Sequence, residues 1–82
     1  MFHVHILRSQ QTGRYYVGST NDTTRRLAQH NAGYVTSTKR FRPWTLVYTE
    51  DLLDHITAAA RERQLKAQKS RKFLDRLILT RK

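Results

Sequence analysis

The stretch from Phe2 to Ser19, FHVHILRSQQTGRYYVGS, decides the fold. Phe2 to Leu7 mixes β-branched and aromatic residues in alternation, the period of a strand with one face in a core. Ser9 to Gly13 is polar and contains a glycine, which predicts a turn. Arg14 to Ser19 repeats the strand composition, so the whole predicts a hairpin. Alternation places Phe2, Val4 and Ile6 on one face, the core side, and His3 and His5 on the other. On the second strand Tyr16 and Gly18 lie opposite Tyr15 and Val17. A polar face with His5 beside Tyr16 is expected. Gly18 would leave a bare patch of sheet there, where a backbone or a phosphate can approach.

Working outward, Asn21 or Asp22 can cap a helix running to about His30, and Gly33 can end it in a left-handed conformation. Tyr34 to Pro43 reads as a basic loop. Trp44 to Thr49 reads as a third strand, with Trp44, Leu46 and Tyr48 alternating toward the core. A helix is expected from about Leu52 to Ala67. Ser70 starts a last helix with Phe73, Leu74, Leu77 and Ile78 as its apolar stripe. The order β-β-α-β-α-α predicts an α/β (α+β) domain spanning residues 1–82. Its core would be a three-stranded, mainly antiparallel sheet flanked by three helices.

Composition narrows the partner. The 82 residues hold sixteen Lys and Arg against six Asp and Glu, a formal net charge of +10. Such a density repels itself unless an anion is present, and polyphosphate answers it best. A membrane surface is disfavoured, because the apolar residues of the last helix are needed by the core. No apolar run approaches the roughly 20 residues of a membrane span, and the amino terminus does not read as a signal peptide. There is no cysteine, hence no disulfide or thiolate site; this fits a cytoplasmic location. The expected partner is therefore nucleic acid.

Four groups of side chains stand out. Arg26 and His30 are four apart and share one helix side, with Asp22 one turn before Arg26. Glu62 lies among small and apolar helix neighbours, Ala58, Ala59 and Leu65, where a carboxylate needs a cation or donor. Lys66, one turn on, offers an ordinary surface ion pair. Lys39, Arg40 and Arg42 precede Trp44, with Tyr34 nearby either to stack a base or to pack the loop. Arg61, Arg63, Lys66, Lys69, Arg71 and Lys72 form a second basic run. Arg71 and Lys72 occupy a helix start, where the macrodipole disfavours cations and a phosphate would relieve the conflict.

These pieces resemble the GIY-YIG nuclease superfamily, in particular its small stand-alone bacterial members, which are similar to the nuclease domain of the excinuclease C subunit. The second half of the name motif appears as Tyr16-Val17-Gly18, and His3-Val4-His5 stands eleven residues earlier in place of the first. Arg26 follows Tyr16 by ten residues and His30 follows Arg26 by four. Gly18-Ser19-Thr20-Asn21-Asp22, Arg25 to Gly33, Arg42 to Tyr48 and Ala60 to Lys66 also look like these members. The resemblance covers nearly the whole chain. It implies hydrolysis of phosphodiester bonds with one divalent metal, Mg²⁺ or Mn²⁺, held by Glu62. It further implies that Arg26 stabilises the phosphate, that Tyr16 orients or deprotonates the attacking water, and that His30 assists. DNA is favoured over RNA as substrate, with structure-selective or weakly specific cutting in DNA repair, or targeting by a protein partner.

The chain departs from the family pattern at His5, where the family has a tyrosine, and at His3, where it has a glycine. Residues 70 to 80 also lack the asparagine often found after the glutamate. His5 can share protons in a hydrogen-bonded site, or it can abolish cutting. The alternatives are accordingly a non-cutting nucleic-acid-binding module on the same fold, or a subunit active only with a partner. A His3, His5 and His30 site for Zn²⁺ is a further rival.

Overall fold

The computed structural model describes residues 1–68 and 70–80. Lys69, part of the second basic run, lies outside them. The elements are β1 (Phe2–Ser9), β2 (Tyr15–Thr20), α1 (Thr23–Ala32), β3 (Trp44–Leu52), α2 (His55–Lys66) and α3 (Arg71–Thr80), with a single 3₁₀ turn at Lys39–Phe41. The sheet order is β2-β1-β3 and both pairings are antiparallel, so β1 is central. This is the predicted α+β arrangement.

Local chemistry explains the boundaries. The hairpin turn closes on the Ser9 hydroxyl, which accepts from the Gln11 and Thr12 amides at 3.2 and 3.1 Å. Gly13 takes a φ of 76°, which only glycine adopts without strain. The Asp22 carboxylate caps α1 by accepting from the Arg25 amide at 3.0 Å, and Gly33 closes the helix at a φ of 86°. The second helix starts later than expected. Its cap is Asp54, which accepts from the Thr57 amide at 2.8 Å, because β3 runs on through Leu52.

One face of the sheet carries the core. Val4, Ile6, Val17 and Tyr48 pack with Ala58 and Leu65 of α2, and Leu74, Leu77 and Ile78 of α3 close over them. Phe73, expected in the α3 stripe, is instead 38 % exposed. The other face is not the open polar surface the alternation suggested. His5 pairs with Gly18 and Leu7 with Tyr16, and this face is covered by α1 and the loop after it. His5, Leu7 and Trp44 are all buried there.

A register shift between Ile6 and Leu7 separates the third-strand residues. Ile6 pairs with Tyr48 while Leu7 pairs with Leu46, so Val47 is the extra residue of a bulge. Tyr48 therefore faces the α2 core, whereas Leu46 and Trp44 face α1. The expected single alternating set of Trp44, Leu46 and Tyr48 is split between the two faces. No described helix is long and apolar enough to cross a membrane.

Candidate active site

His5, Tyr16, Gly18, Ser19, Arg26, His30 and Glu62 line one cavity of about 90 Å³. The five residues singled out from the sequence thus meet in one place, although they span β1, β2, α1 and α2. The site is built from the diagonal His5 and Tyr16 on neighbouring strands, the Arg26 and His30 side of α1, and the Glu62 turn of α2.

Glu62 makes the lysine pair that its helix spacing offers, with Lys66 Nζ 2.6 Å from Oε2. It also accepts from Ser19 Oγ at 2.7 Å on Oε1. Partial burial pushes the Glu62 carboxyl up, but the Lys66 and Ser19 hydrogen bonds outweigh this and hold it below the usual carboxylate range. It is an anion at neutral pH. Lys66 Nζ also stands 5.9 Å from the centre of the Tyr16 ring.

Arg26 does not make the ion pair with Asp22 that the sequence offered. The Asp22 carboxylate is used as the α1 cap. Among the described residues no carboxylate lies within salt-bridge distance of Arg26.

The two histidines are buried and electrically alike. The His30 ring lies 4.9 Å from the Tyr16 ring and 6.5 Å from the His5 ring, centre to centre. His30 Nδ1 is 2.7 Å from Thr38 Oγ1, while Nε2 has no partner among the described residues. Neither nitrogen of His5 has a partner there. Burial first, then the neighbouring His30 and Arg26, brings the His5 pKa from 6.5 down to about 4. Burial and Arg26 lower that of His30. Both rings are neutral at pH 7.

His3 is turned elsewhere, with Nδ1 2.7 Å from an Asp51 oxygen. The three-histidine Zn²⁺ arrangement is not formed, and among the described residues no cluster of three or more His, Asp or Glu is arranged to hold a metal ion. A single anionic carboxylate beside a small polar cavity does suit Mg²⁺ or Mn²⁺, which can keep most of a hydration shell and take few protein ligands.

The basic residues divide. Lys39, Arg40 and Arg42 are exposed and follow directly on Thr38, whose hydroxyl meets His30. Arg42 folds back, donating from Nε to the Lys39 carbonyl at 2.8 Å. Tyr34 is 78 % exposed, so it does not pack the loop. Arg71 belongs to the other face of the sheet. It stacks 4.1 Å from the Tyr15 ring centre and pairs with Asp75 at 3.6 Å, and Asp75 also accepts from the Tyr15 hydroxyl. The Arg71 guanidinium at the α3 start is thus met from within the chain by Asp75 and Tyr15. Lys72 is exposed beside it.

Sequence reasoning missed two participants. Ser19 points away from Tyr16 by strand alternation, yet Glu62 reaches it because α2 packs against β2. Thr38 lies in a loop with no periodicity to mark it.

Residues 1–74 match the family model described as the GIY-YIG catalytic domain. A UPF0213 protein of Halobacterium salinarum is 40% identical over 67 residues, covering 80% of this chain and 86% of that protein. The structure-specific endonuclease subunit slx1 of Schizosaccharomyces pombe is 48% identical over 42 residues, covering 48% of this chain and 16% of that one. The solution NMR structure of a UPF0213 protein from Bacillus halodurans superposes with a TM-score of 0.59 at 30% identity, covering 98% of this chain and 86% of that one.

Proposed function

The chain belongs to the GIY-YIG catalytic domain family, and from that premise we propose that it is a divalent-metal-dependent endonuclease that hydrolyses phosphodiester bonds in DNA. Its selectivity is for DNA structure, or weak for sequence, and its 82 residues act as one nuclease domain. The observation that carries this reading is the convergence of Tyr16, Arg26, His30 and Glu62 on one small polar cavity.

Arg26, without a carboxylate partner among the described residues, binds the scissile phosphate through paired N–H donors and stabilises the charge that builds in the transition state. Tyr16 orients the attacking water from its place between Lys66 and His30. His30, neutral and with Nε2 unpartnered among the described residues, accepts a hydrogen bond from that water or from the Tyr16 hydroxyl. The water oxygen bonds to phosphorus and gives its proton to His30 Nε2, directly or through the Tyr16 hydroxyl, as the bond to the leaving sugar oxygen breaks and that oxygen takes a proton from solvent. Glu62 would hold Mg²⁺ or Mn²⁺, which when bound supplies positive charge against the phosphate oxygens. His5 fills the place of the family's first tyrosine and shapes the cavity wall.

The test is incubation of labelled single-stranded, duplex and branched DNA, and of RNA, with Mg²⁺ or Mn²⁺. Cleavage of DNA is expected, falling at least about a hundredfold in Glu62→Ala and Tyr16→Phe. Tight binding with no metal-dependent product overturns the enzyme reading. It would leave a non-cutting nucleic-acid-binding module, a reading favoured by the Lys66 ammonium on Glu62 Oε2 and by His5 in place of the phenol. Cleavage only after a protein partner is added would make the chain a subunit, as the fission-yeast relative is named.

A further inference from the structure

The loop after α1 reaches back to the site through one side chain. Thr38 is 2 % exposed, and it does not line the cavity. Its Oγ1 stands 2.7 Å from His30 Nδ1 and 3.3 Å from the Val35 carbonyl oxygen. A hydroxyl has one proton, and a carbonyl can only accept. The arrangement in which the hydroxyl makes both contacts has Thr38 donating to Val35, whose oxygen also takes the Thr38 and Lys39 amides at 3.1 and 3.0 Å, and accepting from a protonated His30 Nδ1. A second argument points the same way. Arg26 shares the cavity with His30, and its positive charge favours a lone pair over an N–H on the ring edge opposite Thr38. The backbone of Thr38 is itself fixed, because its carbonyl accepts from the Trp44 indole at 3.0 Å and its amide donates to Val35 at 3.1 Å.

We infer that Thr38 is a positioning residue: it holds His30 as the Nδ1–H tautomer, so that Nε2 offers a lone pair to the water or hydroxyl that reacts in the cavity. A ring nitrogen in a buried site has no water to choose its tautomer, so the hydrogen bond on the other nitrogen sets it. The opposite tautomer would present an N–H to the cavity and accept nothing there. The assignment of the tautomer rests on hydrogen bonding within this chain; its bearing on catalysis rests on the nuclease reading above.

The test separates the two. Long-range ¹H–¹⁵N correlation of the imidazoles at neutral pH reads the tautomer of His30 without any substrate. The Nδ1–H form is expected in the wild type and in Thr38→Ser, and its loss is expected in Thr38→Val, which keeps the side-chain shape and removes the hydroxyl. Near-ultraviolet dichroism of Trp44 checks that each variant keeps its fold. In DNA cleavage with Mg²⁺, kcat should fall about tenfold in Thr38→Val, the loss of one hydrogen bond's worth of orientation, with KM little changed and the rate restored in Thr38→Ser. An Nε2–H tautomer in the wild type, or an unchanged tautomer and rate in Thr38→Val, overturns the inference. The expected tautomers in a protein that cuts nothing would uphold Thr38 as the residue orienting His30 while overturning the nuclease reading.

Discussion

His5 and Gly18 form one unit. A Cβ at Gly18 would stand 3.0 Å from His5 Nε2 and 3.2 Å from Tyr16 Cε2, so the bare patch of sheet is filled by an imidazole. That ring is 2 % exposed and carries two unpartnered nitrogens among the described residues. Protonating it places a charge in a poorly solvated site near Arg26, which is why its pKa drops from 6.5 to about 4. At pH 7 the ring is neutral in the folded chain and mostly neutral in the unfolded one, so it contributes little to the pH dependence there. As pH falls below the unfolded value, the unfolded chain takes up a proton that the folded chain refuses, and stability is lost until the folded pKa is reached. The shift corresponds to about 3 kcal/mol. Urea unfolding of the wild type and of His5→Phe at pH 7 and pH 4 measures it. The wild type should lose about that much more than the variant, and an equal loss in both would remove His5 as the cause.

The third strand is tied to the first helix by a side-chain amide. Asn31, at the end of α1, accepts from the Trp44 backbone N–H at 2.6 Å and donates to the Trp44 carbonyl at 3.0 Å. This fixes where β3 begins and presses the Trp44 indole beneath α1. Asn31→Ala strips both partners from a part-buried backbone and should cost about 1–3 kcal/mol. Urea unfolding followed by the fluorescence of Trp44, the one tryptophan, reads the cost; an unchanged midpoint with an unchanged slope would show that water replaces the amide. The same strand marks the boundary of what the amino-acid order discloses. Asp22 and Gly33 were legible because a cap is decided by residues within one turn of it. The hairpin was legible because its alternation and its glycine are local. The bulge at Val47 was not, since it exists only in the pairing of β3 with Ile6 and Leu7. For the same reason the meeting of Tyr16, Arg26, His30 and Glu62 could be expected through family spacing, whereas Ser19 and Thr38 entered the site only through packing. At the α3 start the amino-acid order showed the cations but not their neighbours: Asp75 one turn on and Tyr15 from β2 meet Arg71 only in the packed chain.

The acidic residues of the whole chain are committed to its own structure. Asp22 and Asp54 cap helices. Glu50 pairs with Arg61, Asp51 with His3, Glu62 with Lys66 and Asp75 with Arg71. These account for all six acids. Among the described residues none pairs with Lys39, Arg40 or Arg42, which stand exposed next to the loop that orients His30. These three cations follow Thr38, which meets His30, and there a nucleic-acid backbone would replace the counterions they otherwise gather. Release of those counterions makes affinity fall linearly in the logarithm of salt, with a slope of about 0.9 per duplex phosphate neutralised. Fluorescence anisotropy of labelled duplex DNA in chelator-containing buffer, where cutting cannot intervene, gives that slope. Lys39→Ala, Arg40→Ala and Arg42→Ala should each reduce it by up to about one unit. Arg71→Ala should change it least, because that guanidinium is stacked on Tyr15 and neutralised by Asp75 on the opposite face. Arg42 should fall below Arg40, since its Nε is already given to the Lys39 carbonyl. Binding that ignores salt, or an Arg71→Ala effect as large as that of Arg40→Ala, would move the nucleic acid away from the loop and onto the α3 face.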